Sequence, residues 1–193
     1  MLLNMSVHTI AGGRRGTRPS LLDVAAEVLV ADPAASLAQV AQAAGIGRTT
    51  LHKHYATRDD LLRAVGHRAV DLWEQALAAV ADGPDGGLRA IITSMVVVGS
   101  QLGFLWRTPA LHRDQALEER SDATQEATLA VLRRAADRGV LAPGTPDWWL
   151  LDTFFSLIYV AAESVAEGKL APNDAPGLVT STFLRGIGAP AQA

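Results

Sequence analysis

Apolar residues recur along this chain with a period near 3.6, and polar or glycine-rich stretches cut the pattern into short blocks. Leu21, Val24, Ala25 and Val28 fall at i, i+3, i+4 and i+7, which predicts one apolar helix face. Pro19 suits the first turn of that helix, where its missing N–H would have no intrahelical partner, and Asp32-Pro33 ends it. Ser36 with Gln39 reads as a capping box opening a second helix, with Leu37, Val40, Ala41 and Ala44 on one side. Gly45 then tolerates the left-handed backbone that closes a helix, and Ile46 can plug the corner. A third, short helix is expected over about 48–54, with Leu51 and Tyr55 turned inward. Thr57 with Asp60 repeats the capping signature ahead of a long helix reaching about residue 80. Its apolar face is Leu61, Leu62, Val65, Leu72, Trp73, Ala76 and Val80.

Residues 82–87 (DGPDGG) stop that helix. Further helical stretches are predicted at about 88–106, 109–113, 115–138, 147–168 and 174–187. No alternation of period two bounded by hairpin turns occurs, and no internal repeat, so the predicted fold is all-α. It divides into a glycine- and arginine-containing arm over 1–17, a three-helix unit over 18–65 and a helical body over 66–193. The 147–168 stretch is apolar almost all round, through Trp148, Trp149, Leu150, Leu151, Phe154, Phe155, Leu157, Ile158 and Tyr159. Such a helix needs cover on several sides, from its own core and from a partner chain.

Composition narrows the class. Of 193 residues 49% are apolar, enough for a core, and cysteine is absent, which removes disulfides and thiolate metal sites. The early apolar stretch precedes the basic cluster at Arg14 and Arg15, the reverse of a signal peptide. The longest uncharged run, 90–106, contains Thr93, Ser94, Ser100 and Gln101 and falls short of the ~20 apolar residues of a membrane span. It reads as a buried helix of a cytoplasmic protein with no membrane partner. Net charge is −3, yet it is unevenly spread. Through residue 68 there are eight Lys or Arg against five Asp or Glu; from 69 onward there are nine against fifteen. A basic head on an acidic body suits a nucleic-acid partner for the head.

The chemistry concentrates at about 37–56, where helix, glycine-centred turn and second helix make a helix-turn-helix. Small Ala41 and Ala44 let the two helices approach, and Leu37, Val40, Ile46 and Leu51 seal them. The outward side of the second helix carries Arg48, Thr49, Thr50, His52, Lys53 and His54, and no acid occurs between Asp32 and Asp59 to repel phosphate. His52 and His54, two apart, point to different helix faces and do not make a metal pair. Tyr55 is mainly a core residue with a hydroxyl in reach of phosphate. Arg14, Arg15 and Arg18 either trail along DNA or form a solvated tail.

Residues 18–65 resemble the tetracycline-repressor (TetR) family. The likeness rests on Gly45-Ile46-Gly47 at the turn, Thr50-Leu51-His52, His54-Tyr55, Arg58-Asp59 and Leu61-Leu62. Three positions depart from the family pattern. Gly47 replaces a serine cap, His52 stands where a phosphate-contacting tyrosine is common, and Arg58 replaces lysine while keeping its charge. The resemblance implies a homodimer that binds a palindromic double-stranded DNA operator, acts as a repressor and answers to a largely apolar small-molecule effector. DNA contacts are then expected from Arg48, Thr49, Thr50, His52, Lys53, His54, Tyr55 and Arg58. An effector pocket is expected from Met95, Val98, Gln101, Leu102, Leu105, Trp106, His112 and Trp149, and a dimer surface from Phe155, Tyr159 and Phe183. Glu118, Glu119 and Asp122 read as a solvated helix face. No cofactor and no metal is implied. Two other classes stand beside this reading: a helical protein-interaction module without specific DNA binding, and a small all-α enzyme. Against the enzyme, the chain holds no Walker loop, no His-Glu-x-x-His and no Gly-x-Ser-x-Gly.

Overall fold

Each helix in the first third begins where a side chain can accept the free N–H groups of its first turn. In a computed structural model, which describes residues 20–188 without the side chain of His112, α1 (Leu21–Ala31) is capped by Ser20 and Asp23 in a reciprocal box. Ser20 therefore stands as the cap and α1 begins at Leu21, later than the expected start; Pro19, Arg18 and the 1–17 arm lie outside the described residues. The same box starts α2 (Leu37–Ala43) with Ser36 and Gln39, and α4 (Arg58–Ala78) with Thr57 and Asp60. Each such cap contributes about 1 kcal/mol. Between them α3 (Arg48–His54) starts at Gly47, which offers no side-chain acceptor.

The body comprises α5 (Leu88–Arg107), a short 3-10 turn (Pro109–Arg113), α6 (Gln115–Asp137), α7 (Asp147–Ala166) and α8 (Ala175–Ile187). Among the described residues there is no strand, only one isolated antiparallel bridge between Leu141 and Gly188. The long helix ends at Ala78 rather than Val80, where the Val80 N–H donates to the Leu77 carbonyl at 3.0 Å, and α7 ends at Ala166 rather than 168, where the Gly168 N–H donates to the Val165 carbonyl at 3.0 Å. Two helices, α5 and α7, are long and apolar enough by composition to cross a membrane. Here α5 is the central post of the body, and its buried residues run from Leu88 to Leu105.

Two apolar cores meet along α4. The upper one gathers Trp73, Ile91, Ile92, Met95, Leu102, Leu132, Phe154, Ile158, Val179 and Phe183. The lower one joins Ala25, Leu29, Val40, Ala41 and Leu51 of the first three helices to Leu61, Leu62, Val65 and Val70 of α4. It also takes in Phe104, Leu105, Leu111 and Leu117 from the body. A boundary at 65/66 thus falls inside a continuous helix, and the head is bedded on the end of α5 and the start of α6. Two polar links hold the same seam. Arg68 of α4 pairs with Asp23 of α1 at 3.0 Å. Burial pushes the Asp23 carboxyl upward, but the Ser20 hydroxyl and Arg68 outweigh it and hold the group below the ordinary aspartate range. On the far side Arg120 of α6 reaches Asp71 at 2.7 Å and Glu74 at 2.8 Å.

Candidate DNA-binding surface and effector cavity

The turn between α2 and α3 is built by backbone hydrogen bonding around one left-handed residue. Gly45 has φ +66°, its N–H donates to the Gln42 carbonyl at 3.1 Å, and the Ile46 N–H donates to the Ala41 carbonyl at 3.0 Å. This pattern closes α2 in its last turn and sends the chain off at an angle. Leu51 is then fully buried in the head core, while Arg48, Thr49, Thr50, His52, Lys53 and His54 all stand exposed. The Arg48 Nε donates to His52 Nε2 at 3.4 Å, one turn along the same face. Tyr55 is half-buried on the head core, and burial pushes its phenol above the usual tyrosine range. The exposed side of α3 is therefore a polar strip with cationic Arg48 and Lys53 and no carboxylate.

Arg58 departs from its expected place. Its Nε donates to the Ala35 carbonyl at 3.3 Å and its Nη2 to the Pro33 carbonyl. The guanidinium brackets the α1–α2 loop to the start of α4 instead of projecting beside the exposed strip of α3. Two carbonyls left over by the Pro33 turn lie close enough to capture it.

The sequence's pocket residues scatter when folded. Met95, Val98 and Leu102 are buried core residues that line no cavity among those described. Gln101 opens into a separate crevice between α1, α5 and α7, with Glu27, Val30 and Glu163. Trp149 is 49% exposed and meets Trp148 edge-on at 5.4 Å, away from Trp106. His112 lies in the 3-10 turn, with its side chain outside the description. Leu105 and Trp106 do line a cavity. Two adjacent pockets share Trp106 and Gln125 in their lining: a first lobe of about 250 Å³ with Leu111, Leu117, Glu118, Ser121 and Asp122, and a second of about 520 Å³ with Asp152, Phe155, Ser156 and Tyr159.

The expected dimer residues also change place. Phe155 and Tyr159 line that second lobe, on the side of α7 turned toward Trp106. Phe155 meets Trp106 at 4.9 Å and Trp73 at 5.3 Å, all edge-on. Phe183 is 1% exposed, packed against Phe154 inside its own protomer, where no second chain can touch it. The residues missed are Glu118, Ser121, Asp122 and Gln125, one stripe of α6, together with Asp152 and Ser156. Their i, i+3, i+4, i+7 recurrence was visible; that an aromatic wall faced them was not.

The cavity wall reaches the head through one close contact. Leu111 and Leu117 line the first lobe and also press on α4 at Gly66, where an added Cβ would stand 2.9 Å from Leu117 Cδ2 and 3.1 Å from Leu111 Cδ1. Glycine is what lets these helices close to that distance.

A family model described as bacterial regulatory proteins, tetR family, matches residues 21–65, which are α1 to the first turns of α4. The HTH-type transcriptional repressor LfrR of Mycolicibacterium smegmatis is 33% identical over 174 residues, covering 89% of this chain and 90% of that protein. The chain belongs to the TetR family. Members of the family are transcriptional regulators, so this protein is a regulator and not an enzyme. The crystal structure of LfrR from Mycobacterium smegmatis in complex with proflavine superposes with a TM-score of 0.74 at 30% identity, over 86% of this chain and 93% of that one. The HTH-type transcriptional regulator NfxB of Pseudomonas aeruginosa is 24% identical over 180 residues, covering 89% of this chain and 95% of its own.

Proposed function

We propose that this TetR-family regulator is a cytoplasmic homodimeric repressor that binds a palindromic operator through α3 and leaves it when a small molecule fills the cavity beside Trp106. The observation that carries the reading is the exposed strip of α3, polar and free of carboxylates, on a helix whose inner face is locked by Leu51. Arg48, Thr49, His52 and Lys53 are positioned for base edges and phosphates of a major groove, with Thr50 and the Tyr55 hydroxyl toward the backbone. Arg58 holds the loop beneath them.

The dimer face is the outer stripe of α7 with the exposed side of α8. Trp149, Thr153 and Val160 recur at i, i+4 and i+11 along α7. Val160 is 58% exposed and Leu178 of α8 is 53% exposed, large apolar surface that a lone protomer would leave in water.

The effector site is the cavity between α5, α6 and α7; that the relative LfrR has been solved with proflavine supports a ligand-taking body in this line of regulators. Leu111, Leu117 and Gly66 supply the mechanical link, and Arg120 clamps α6 to α4 through Asp71 and Glu74. A ligand that wedges α6 from Trp106 therefore pushes on α4, which carries Leu61, Leu62 and Val65 into the head core. At ~1.5 Å rise per residue the 21 residues of α4 span ~30 Å, so a small tilt at one end displaces α3 appreciably. The ligand acts only through its greater affinity for the DNA-incompetent arrangement.

Replacing Arg48 or Lys53 by Ala tests the surface. Each change is expected to weaken operator binding by roughly 1–3 kcal/mol, with a base contact relaxing preference at one position and a phosphate contact lowering the salt slope. Both residues are exposed, so the thermal unfolding midpoint stays within a degree or so of the parent on the ordinary scale of surface changes. Undiminished operator affinity in both variants, measured by titration at two salt concentrations, contradicts the assignment of α3.

A further inference from the structure

We propose that Arg48 reads a guanine in each operator half-site and that His52 is the positioning residue that holds its guanidinium for that contact. This rests on taking α3 as the DNA-reading helix, and adds the base it reads and the side chain that selects it.

Arg48 is the first residue of α3, and in a helix-turn-helix the residues at the start of the second helix meet base edges. Among the described residues it is also the arginine of the head whose terminal nitrogens are uncommitted. Arg58 is bound to the Ala35 and Pro33 carbonyls, Arg63 to Asp60 at 2.8 Å and Arg68 to Asp23 at 3.0 Å. Arg48 makes one described hydrogen bond, from its Nε to His52 Nε2 at 3.4 Å. Its two Nη atoms have no described partner, and the side chain is exposed. Lys53, the other cation of the strip, is a point charge without such a fork.

An exposed pair four residues apart is ordinary on a helix surface. The consequence here lies in which nitrogens are used. A bond at Nε sets the rotation of the planar guanidinium and leaves both Nη atoms for an end-on, bidentate contact to guanine O6 and N7. Adenine offers N7 but puts an amino donor where guanine has O6. A loose arginine meets phosphate as readily as base, whereas one whose plane is already set loses less freedom on a flat acceptor edge. The same bond fixes the state of the imidazole. Nε2 accepts, so the ring is neutral and carries its proton on Nδ1. A second proton would occupy the accepting lone pair and bring like charges together. The charged and titratable groups beside the ring are Arg48, Lys53 and His54 of α3 itself, and α2 carries none. The acids of α1, Asp23 and Glu27, turn to Arg68 and to the crevice beside α5. No acid occurs between Asp32 and Asp59 to draw Arg48 away from His52 or to balance a protonated ring.

Selection from a library of randomised duplexes, sequenced to rank every base at every position, tests this with the full chain. The parent is expected to prefer guanine by about tenfold or more at one position per half-site, and Arg48→Ala to level that position alone. His52→Ala is expected to lose about fivefold of the same preference, the worth of one pre-ordered long side chain. His52→Gln, whose amide reaches the place of Nε2, is expected to keep the preference. His52→Asn, which reaches only the place of Nδ1, is expected to fall with the alanine variant. From about pH 7.5 to about pH 5.5 the parent is expected to lose several-fold of its guanine preference while binding all duplexes more tightly, as the imidazole gains charge. His52→Gln is expected to hold its preference over that range. The proposal is overturned if Arg48→Ala levels no position, or one that prefers another base. It is equally overturned if His52→Ala weakens all sequences alike with a lower salt slope, as loss of a phosphate contact does. A glutamine variant that falls with the alanine variant, or loses its guanine preference with pH as the parent does, overturns it too. These results concern the pair alone; a parent that ranks no duplex above another overturns the reading of α3 as well.

Discussion

Val160→Asp combined with Leu178→Asp is expected to turn the dimer into monomers and to lower operator affinity by about 10²–10⁴, the avidity lost when two linked heads become independent. Both side chains are more than half exposed in the protomer, so neither substitution opens a cavity or buries a charge within it. In a dimer that closes over the outer stripe of α7, the same positions lie at the centre of a desolvated apolar face. There an unpaired carboxylate carries the full cost of leaving water. A symmetric interface doubles the effect, because each substitution appears on both sides of the two-fold axis. Sedimentation at micromolar concentration is expected to show a monomer with unchanged far-ultraviolet circular dichroism, and gel shift the matching loss of affinity. A variant that remains dimeric with normal operator binding removes α7 and α8 from the interface. Phe183, fully enclosed, is the internal contrast: truncating it is expected to damage the protomer's stability rather than its association.

Trp73→Ala is expected to cost about 3–5 kcal/mol, a large share of the ~5–15 kcal/mol that holds a domain together. Trp73 is 0% exposed at the crossing of α4 with the body, edge-on to Trp106 at 6.3 Å and to Phe155 at 5.3 Å. Its indole N–H donates to Thr128 Oγ1 at 3.0 Å, and that hydroxyl donates in turn to the Thr124 carbonyl at 2.8 Å. Truncation removes the ring, leaves a void beneath the cavity floor and orphans one acceptor. Trp73→Phe refills most of the volume and is expected to cost about 1–2 kcal/mol, chiefly the lost hydrogen bond and the residual gap. Urea midpoints at one fixed protein concentration measure both, since association adds to apparent stability. A loss below about 1 kcal/mol for the alanine variant means the centre of the body is not packed as described.

The parts of this molecule legible in the sequence are those fixed within a turn or two of chain. Ser36 with Gln39 and Thr57 with Asp60 declare helix starts because the bonding groups are three residues apart. Gly45 declares the corner because few other residues tolerate its φ. The outward strip of α3 follows directly, since Leu51 can point only one way. The start of α1 falls two residues after Pro19, because the reciprocal bonds between Ser20 and Asp23 fix the cap at Ser20.

The rotation of α7 about its own axis is not legible in the sequence. Periodicity orients a helix by contrasting polar with apolar faces, and residues 148–160 offer little contrast. Trp149, expected in the pocket, is half exposed, and Phe155, expected on a dimer surface, lines the second lobe. Only packing against α5 and α8 sets that rotation. Glu118 and Asp122 of α6 were visible as a stripe, but that they line the first lobe depends on Trp106, distant in sequence and near in space.

Selection of bound genomic fragments, followed by footprinting of the enriched ones, tests the central claim most directly. A small set of fragments is expected to be retained against competitor DNA. Each is expected to hold two inverted half-sites spaced by about one helical turn, ~34 Å, or a multiple of it, and to be protected symmetrically. Retention of no fragment above competitor, or a single unpaired footprint, would contradict a dimeric operator-binding regulator working through α3.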